Sequence, residues 1–212
     1  MNRFSVQTWA FVFAAFLGCA GPFTQARFQV DESFRTPDFS LRGKRVGFVT
    51  PSSAHELEDQ WILLDLLAKT LKENRKETIV TLPSECLSLI SQAGLAKAYN
   101  KAIKDFQTSG SLDKGFLMKL GEILDVQYVV YLSLNSFNQY ASTRLSAFGL
   151  RAIDSQTAML RLFLRILETD QARIVWEGSG EGIIVREEFR ARPVTFNELG
   201  QLACEGVVEN LP

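Results

Sequence analysis

Histidine is almost missing from this chain of 212 residues, with the single copy His55, and cysteine is scarce, with three copies. Those counts exclude a multi-histidine metal centre and a four-ligand zinc cluster, because such sites need more Cys and His than the chain holds. A surplus of one charge is missing as well: 23 Lys and Arg stand against 24 Asp and Glu, a formal charge of −1. Without a basic excess there is no electrostatic footprint for a phosphate backbone, and no nucleic acid is expected as a partner. No nucleophile–base–orienter set stands out, so the chain is not expected to be an enzyme, and no cofactor or metal is expected. What is present is 46% hydrophobic and 22% charged sequence, the composition of a folded domain with one real core.

Long apolar runs are also few. Trp9 to Leu17 is unbroken apolar sequence, but its nine residues fall far short of a bilayer span. With Arg3 before it and the small residues Ala14, Ala15 and Gly18 around its end, the stretch reads as a signal peptide over residues 1–18. Leu17-Gly18-Cys19 resembles the lipobox of bacterial lipoproteins, in which the cysteine thiol is acylated and cleavage leaves it as the new N-terminus. Phe16 replaces the commoner Leu of that motif. The resemblance implies lipidation at Cys19, with the membrane as a partner through the lipid. Ala20 stands where inner-membrane lipoproteins tend to carry Asp, which implies the outer membrane with the domain in the periplasm. Removing residues 1–18 takes away Arg3 and moves the formal charge to −2, so no polybasic patch faces the lipid.

Residues 19–40 hold Gly21, Pro22 and Pro37 without a period clear enough to name an element, and are read as the acylated cysteine followed by a flexible tether. Residues 41–212 are read as a single α/β envelope domain. Arg45–Thr50 is a short strand stopped by Pro51, and Ser53-Ala54-His55-Glu56 has capping-box spacing before an amphipathic helix through Trp61, Leu64 and Leu71. Thr78–Leu82 is a second strand, and Ser84 is placed to cap the helix that carries Cys86 and Ile90. Helices follow over Ala96–Phe106 and Asp113–Leu124, then a strand over Gln127–Phe137. Residues 138–157 are polar and mixed, and read as a long irregular connection. Met159–Glu168 alternates Leu160, Leu162, Leu164 and Ile166 against Arg161, Phe163 and Arg165, so one face is aliphatic and the other meets solvent or a partner. A turn at Thr169–Ala172 leads to an antiparallel mate running past Gly178 towards Val185, and a closing helix fits Asn197–Asn210. The expected architecture is a mixed sheet of about four to six strands with helices packed on it, a C-terminal antiparallel hairpin and a closing helix.

Gly121-Glu122-Ile123-Leu124-Asp125 leading into Tyr128-Val129-Val130-Tyr131, followed by the hairpin strand Arg173-Ile174-Val175-Trp176-Glu177, resembles a group of periplasmic lipoproteins. The group includes the curli-secretion channel subunit and the penicillin-binding-protein activator lipoproteins, which share an α/β domain like the amino-terminal domain of the Tol translocation protein. The resemblance covers roughly residues 44–210. It implies the fold and an envelope compartment, and an address without an active site adds the expectation of a non-enzymatic outer-membrane lipoprotein that binds other envelope proteins as an accessory or assembly factor. A ring-forming subunit of an export complex is the alternative within that group, and an envelope hydrolase the alternative outside it. Tyr140–Arg151 lacks the alternation that a lipid-facing hairpin of the curli channel type needs.

The candidate sites each carry a plainer reading. Ser52, Ser53 and His55 follow the first strand, where open α/β sheets bind ligands, but no Gly-x-Ser-x-Gly elbow surrounds them and capping accounts for Ser53 and Glu56. Glu177–Gly182 lacks the following helix that a phosphate loop requires, so its glycines point to close packing or a bulge. Glu168, Asp170 and Glu177 surround a turn and read as a solvated tip, with a weak cation site as the alternative. Cys86 and Cys204 are either two buried thiols or a disulfide spanning 118 residues, worth on the order of 4 or 5 kcal/mol in the loop-entropy account. Arg161, Arg165 and Trp176 are the candidate partner contacts.

Overall fold

The computed structural model describes residues 23–49, 57–147, 150–188 and 191–212. In chain order these hold strand β1 (Phe23–Arg35), β2 (Arg45–Val49), helix α1 (Leu57–Asn74), β3 (Ile79–Val80), α2 (Pro83–Gln92), α3 (Ala96–Ser109), α4 (Lys114–Leu124), β4 (Tyr128–Ala147), β5 (Leu150–Glu168), β6 (Arg173–Glu188) and α5 (Phe196–Asn210). The strands form one mixed sheet in the order β1-β6-β5-β4-β2-β3. β2 runs parallel to β3 and β4, and the remaining pairs are antiparallel. The α/β class, the C-terminal hairpin and the closing helix are as the sequence predicts.

Period-2 alternation decides the two faces of this sheet. On one face Phe48, Val130, Leu132, Leu160, Leu162, Leu164, Ile166 and Trp176 meet α1 and α5 in the larger core. α1 supplies Leu63, Leu64, Leu67, Ala68 and Leu71, a helical period that buries a single stripe. On the other face Val49, Val129, Tyr131 and Leu167 meet α2, α3 and α4 through Cys86, Ile90, Tyr99, Ile103, Phe106, Leu117, Leu120 and Leu124. That second layer lies over the part of the sheet near Tyr131 and Leu167, and among the described residues no helix of either core lies over the rest of that face of β4, β5, β6 and β1.

The N-terminal segment overturns the tether reading. Residues 23–35 form β1, paired antiparallel to β6 from Phe23↔Glu187 to Arg35↔Trp176. Phe28 packs where two glycines make room: a Cβ on Gly206 of α5 would lie 1.8 Å from Phe28 Cδ1, and one on Gly180 would lie 2.5 Å from its Cζ. Phe39 and Leu41 are buried in the larger core, and Thr78 Oγ1 donates to the Leu41 carbonyl at 2.9 Å. Residues 23–41 are therefore part of the folded domain.

Residues 138–147 and 150–157 are likewise strand where an irregular connection is predicted. β4 and β5 pair in register from Tyr128↔Glu168 to Ala147↔Leu150, with shifts at Leu134/Ser136 and at Thr143–Ser146. Pairing to a neighbour satisfies the backbone along a polar stretch that has no apolar stripe to announce it. At α2 the predicted cap also moves: Pro83 opens the helix, and the Leu82 N–H donates to Glu85 Oε2 at 2.8 Å, so Ser84 is not the cap. Ser53 and His55 with their capping box lie outside the described residues.

Candidate interaction face

The uncovered face is built from four strands. β5 places Arg161, Phe163 and Arg165 on it, because their neighbours Leu160, Leu162, Leu164 and Ile166 fill the opposite core. β6 adds Glu177, Ser179 and Glu181 directly opposite, in the register Arg165↔Glu177, Phe163↔Ser179 and Arg161↔Glu181. β1 continues the rows with Asp31 opposite Ser179 and Gln29 opposite Glu181. Arg165 Nε sits 2.6 Å from Glu177 Oε2, and its guanidinium lies over the rings of Phe163 and Phe106 at 4.9 and 5.6 Å. Arg161 Nε donates to Glu181 Oε2 at 3.0 Å. Gln29, Asp31, Asn135, Arg161, Ser179 and Glu181 surround a shallow depression of about 560 Å³ on this face.

Two of the three predicted contact residues belong here. The Arg161 side chain is 57% exposed and Arg165 24% exposed, so the first is open to a partner and the second is half covered by its rings. Trp176 does not: it is 1% exposed, it lies in the larger core against Gly178, and its indole N–H donates to Glu32 Oε2 at 2.9 Å. A Cβ on Gly178 would meet the Trp176 ring at 2.7 Å, which accounts for that glycine by close packing. Cross-strand spacing carries the signal for the carboxylates that sequence reasoning missed. Glu177 and Glu181 are four apart on β6, as Arg161 and Arg165 are on β5, and antiparallel pairing then brings opposite charges together twice.

The carboxylates at the turn disperse. Glu168 faces Arg173 at 2.7 Å and Glu177 faces Arg165, so neither is open to a cation. Among the described residues no group of three His, Cys, Asp or Glu side chains is placed to hold a metal ion.

Cys86 and Cys204 are both free thiols, which corrects the possible disulfide. They belong to opposite cores with the sheet between them, Cys86 beside Gly47 and Cys204 beside the Leu63 carbonyl. Burial pushes the Cys86 thiol up to about 11 and the Cys204 thiol higher still, so both are protonated and enclosed. Chemically, the exposed face offers paired guanidinium and carboxylate groups, hydroxyls and amides on a rigid sheet. Groups of that kind can meet a polar surface through charge and hydrogen bonding.

No protein-family model matches the chain, and no curated protein matches it in sequence. Solved structures do resemble it. The PelC dodecamer from Paraburkholderia phytofirmans superposes with a TM-score of 0.46 at 10% identity, over 88% of this chain and 95% of that one. A single-substitution variant of that dodecamer, in a different crystal form, gives 0.44 at 13% identity, over 88% of this chain and 96% of that one. Lipoprotein GNA1162 from Neisseria meningitidis gives 0.40 at 16% identity, over 78% of this chain and 96% of that one.

Proposed function

We propose that the chain is a non-enzymatic lipoprotein of the outer membrane, anchored through acylated Cys19, whose periplasmic domain docks other envelope proteins on the uncovered face of its sheet. The observation that carries this reading is the ion-paired ladder Arg165–Glu177 and Arg161–Glu181. Charges already held in place lose little side-chain freedom when a partner arrives, and complementary charge governs encounter rate and register. Leu17-Gly18-Cys19 behind an Arg3-led apolar stretch supports the anchor.

Two measurements test the proposal in the native host. Radiolabelled palmitate should enter the full chain and be lost in Cys19→Ala, and the label should fractionate with the outer membrane. Chemical cross-linking in intact cells should join the protein to a distinct envelope protein, with the yield falling several-fold in the charge reversal Arg161→Glu while the melting temperature holds. Absence of label refutes the anchor, and a cross-link indifferent to Arg161 refutes the docking face.

A further inference from the structure

β1 is an edge strand of 13 residues, paired with β6 along one side and with no strand along the other among the described residues. A long unpaired edge is a row of free N–H and C=O groups, and natural sheets leave one open only where something covers it or deters pairing. The register with β6 places Gln25, Arg27, Gln29 and Asp31 on the uncovered face and Ala26, Phe28 and Val30 towards α5. The interior charges of that face balance one another in the β5–β6 ladder. Arg27 and Asp31 do not: both are exposed, and neither has an ion-pair partner among the described residues.

These two unbalanced charges have opposite signs, sit on one face of one strand and flank Gln29. Laid antiparallel against its own copy with Gln29 opposite Gln29, β1 brings Arg27 opposite Asp31 twice, and Phe28 opposite Val30 twice on the other face. A shift of two residues either way loses both charge pairs, and a shift of one turns each side chain towards the wrong face. The irregularity between Glu32 and Phe34 ends the regular strand where this pairing ends, at Ala26 opposite Glu32. We infer that β1 is the surface on which a second copy of this chain adds, edge to edge, joining two sheets into one about a two-fold axis through Gln29. The inference rests on the edge and its charges and is independent of the lipid anchor.

Site-directed cross-linking of the full chain tests it. In this register residue 29 faces itself at a Cα separation of about 5 Å, within disulfide reach, whereas residue 27 stands about 14 Å from its own copy. Mild oxidation should convert Gln29→Cys into a covalent dimer and leave Arg27→Cys monomeric. Cys86 and Cys204 are buried and do not compete, and both variants carry Cys19→Ala so that the third cysteine does not either. Asp31→Arg should weaken association of the unoxidised protein about tenfold, and the exchange Arg27→Asp with Asp31→Arg should restore it to within about threefold. A monomeric native mass overturns the inference, and so does a larger ring. Cross-linking at 27 as readily as at 29, or capture of residue 29 by a different protein alone, overturns it too. Because the charge exchange reads association and not yield, it remains decisive should Gln29→Cys fold poorly.

Discussion

Gly121 shows how one side chain, or its lack, sets a packing distance. It lies in the last turn of α4, where a Cβ would fall 2.5 Å from Thr169 Cβ and 2.7 Å from its Oγ1. Thr169 cannot retreat, because it is buried and its hydroxyl donates to the Val126 carbonyl at 2.9 Å. In an exposed helix Gly→Ala gains up to about 1 kcal/mol, but here overpacking prevails, and Gly121→Ala should destabilise by about 1–3 kcal/mol in a denaturant melt. Glu198 is the residue whose titration matters at the start of α5. The Thr195 N–H, at 2.8 Å, holds its carboxyl below the usual 4.5, with Thr195 Oγ1 and Arg186 adding to the effect. A folded-state value below the unfolded one contributes stability above the unfolded value and loses it as pH falls through the folded one. The stability gap between the natural protein and Glu198→Gln should therefore hold from about pH 7 to about pH 5 and shrink towards about pH 3, read as denaturant midpoints.

Among the elements, β1 tests the fold most directly. Deleting residues 23–35 uncovers Trp176 and Gly178 and leaves β6 as a bare edge, so the truncated chain should melt several degrees lower or fail to remain soluble; a true tether would leave the melting temperature unchanged. The strand is legible in retrospect, since Ala26, Phe28 and Val30 alternate with Gln25, Arg27, Gln29 and Asp31. Gly21, Pro22 and Pro37 bracket that alternation, and punctuation of this kind reads as loop when a lipobox-like sequence stands just before it. β5 and α1 are legible outright, because each buries a whole stripe at its own period. The far half of β4 is not, because its pairing to β5 is a backbone matter and its side chains alternate between nothing in particular. For the candidate face, Arg161 and Arg165 are readable from β5 alone. Their carboxylate mates depend on register, and register is a property of two strands together.

On the scale of the whole molecule, two cores share one sheet, and each contains one thiol: Cys204 in the larger, Cys86 in the smaller. Both cores are closed on one side by the same sheet, so the two should open together. Thiol labelling through a denaturant series should show both cysteines protected in the native protein and exposed at one common midpoint, with equal labelling whether or not reductant is added. Separate midpoints would mean that α2, α3 and α4 peel away alone. The early start of β1 has a bearing on reach. Between Cys19 and Phe23 the backbone extends at most about 14 Å, whereas a leash of twenty free residues would run out to about 70 Å. With the proposed lipid on Cys19, the domain is moored against the bilayer and does not sweep the depth of a periplasm, and the partner proposed for it must itself come within a few nanometres of the membrane.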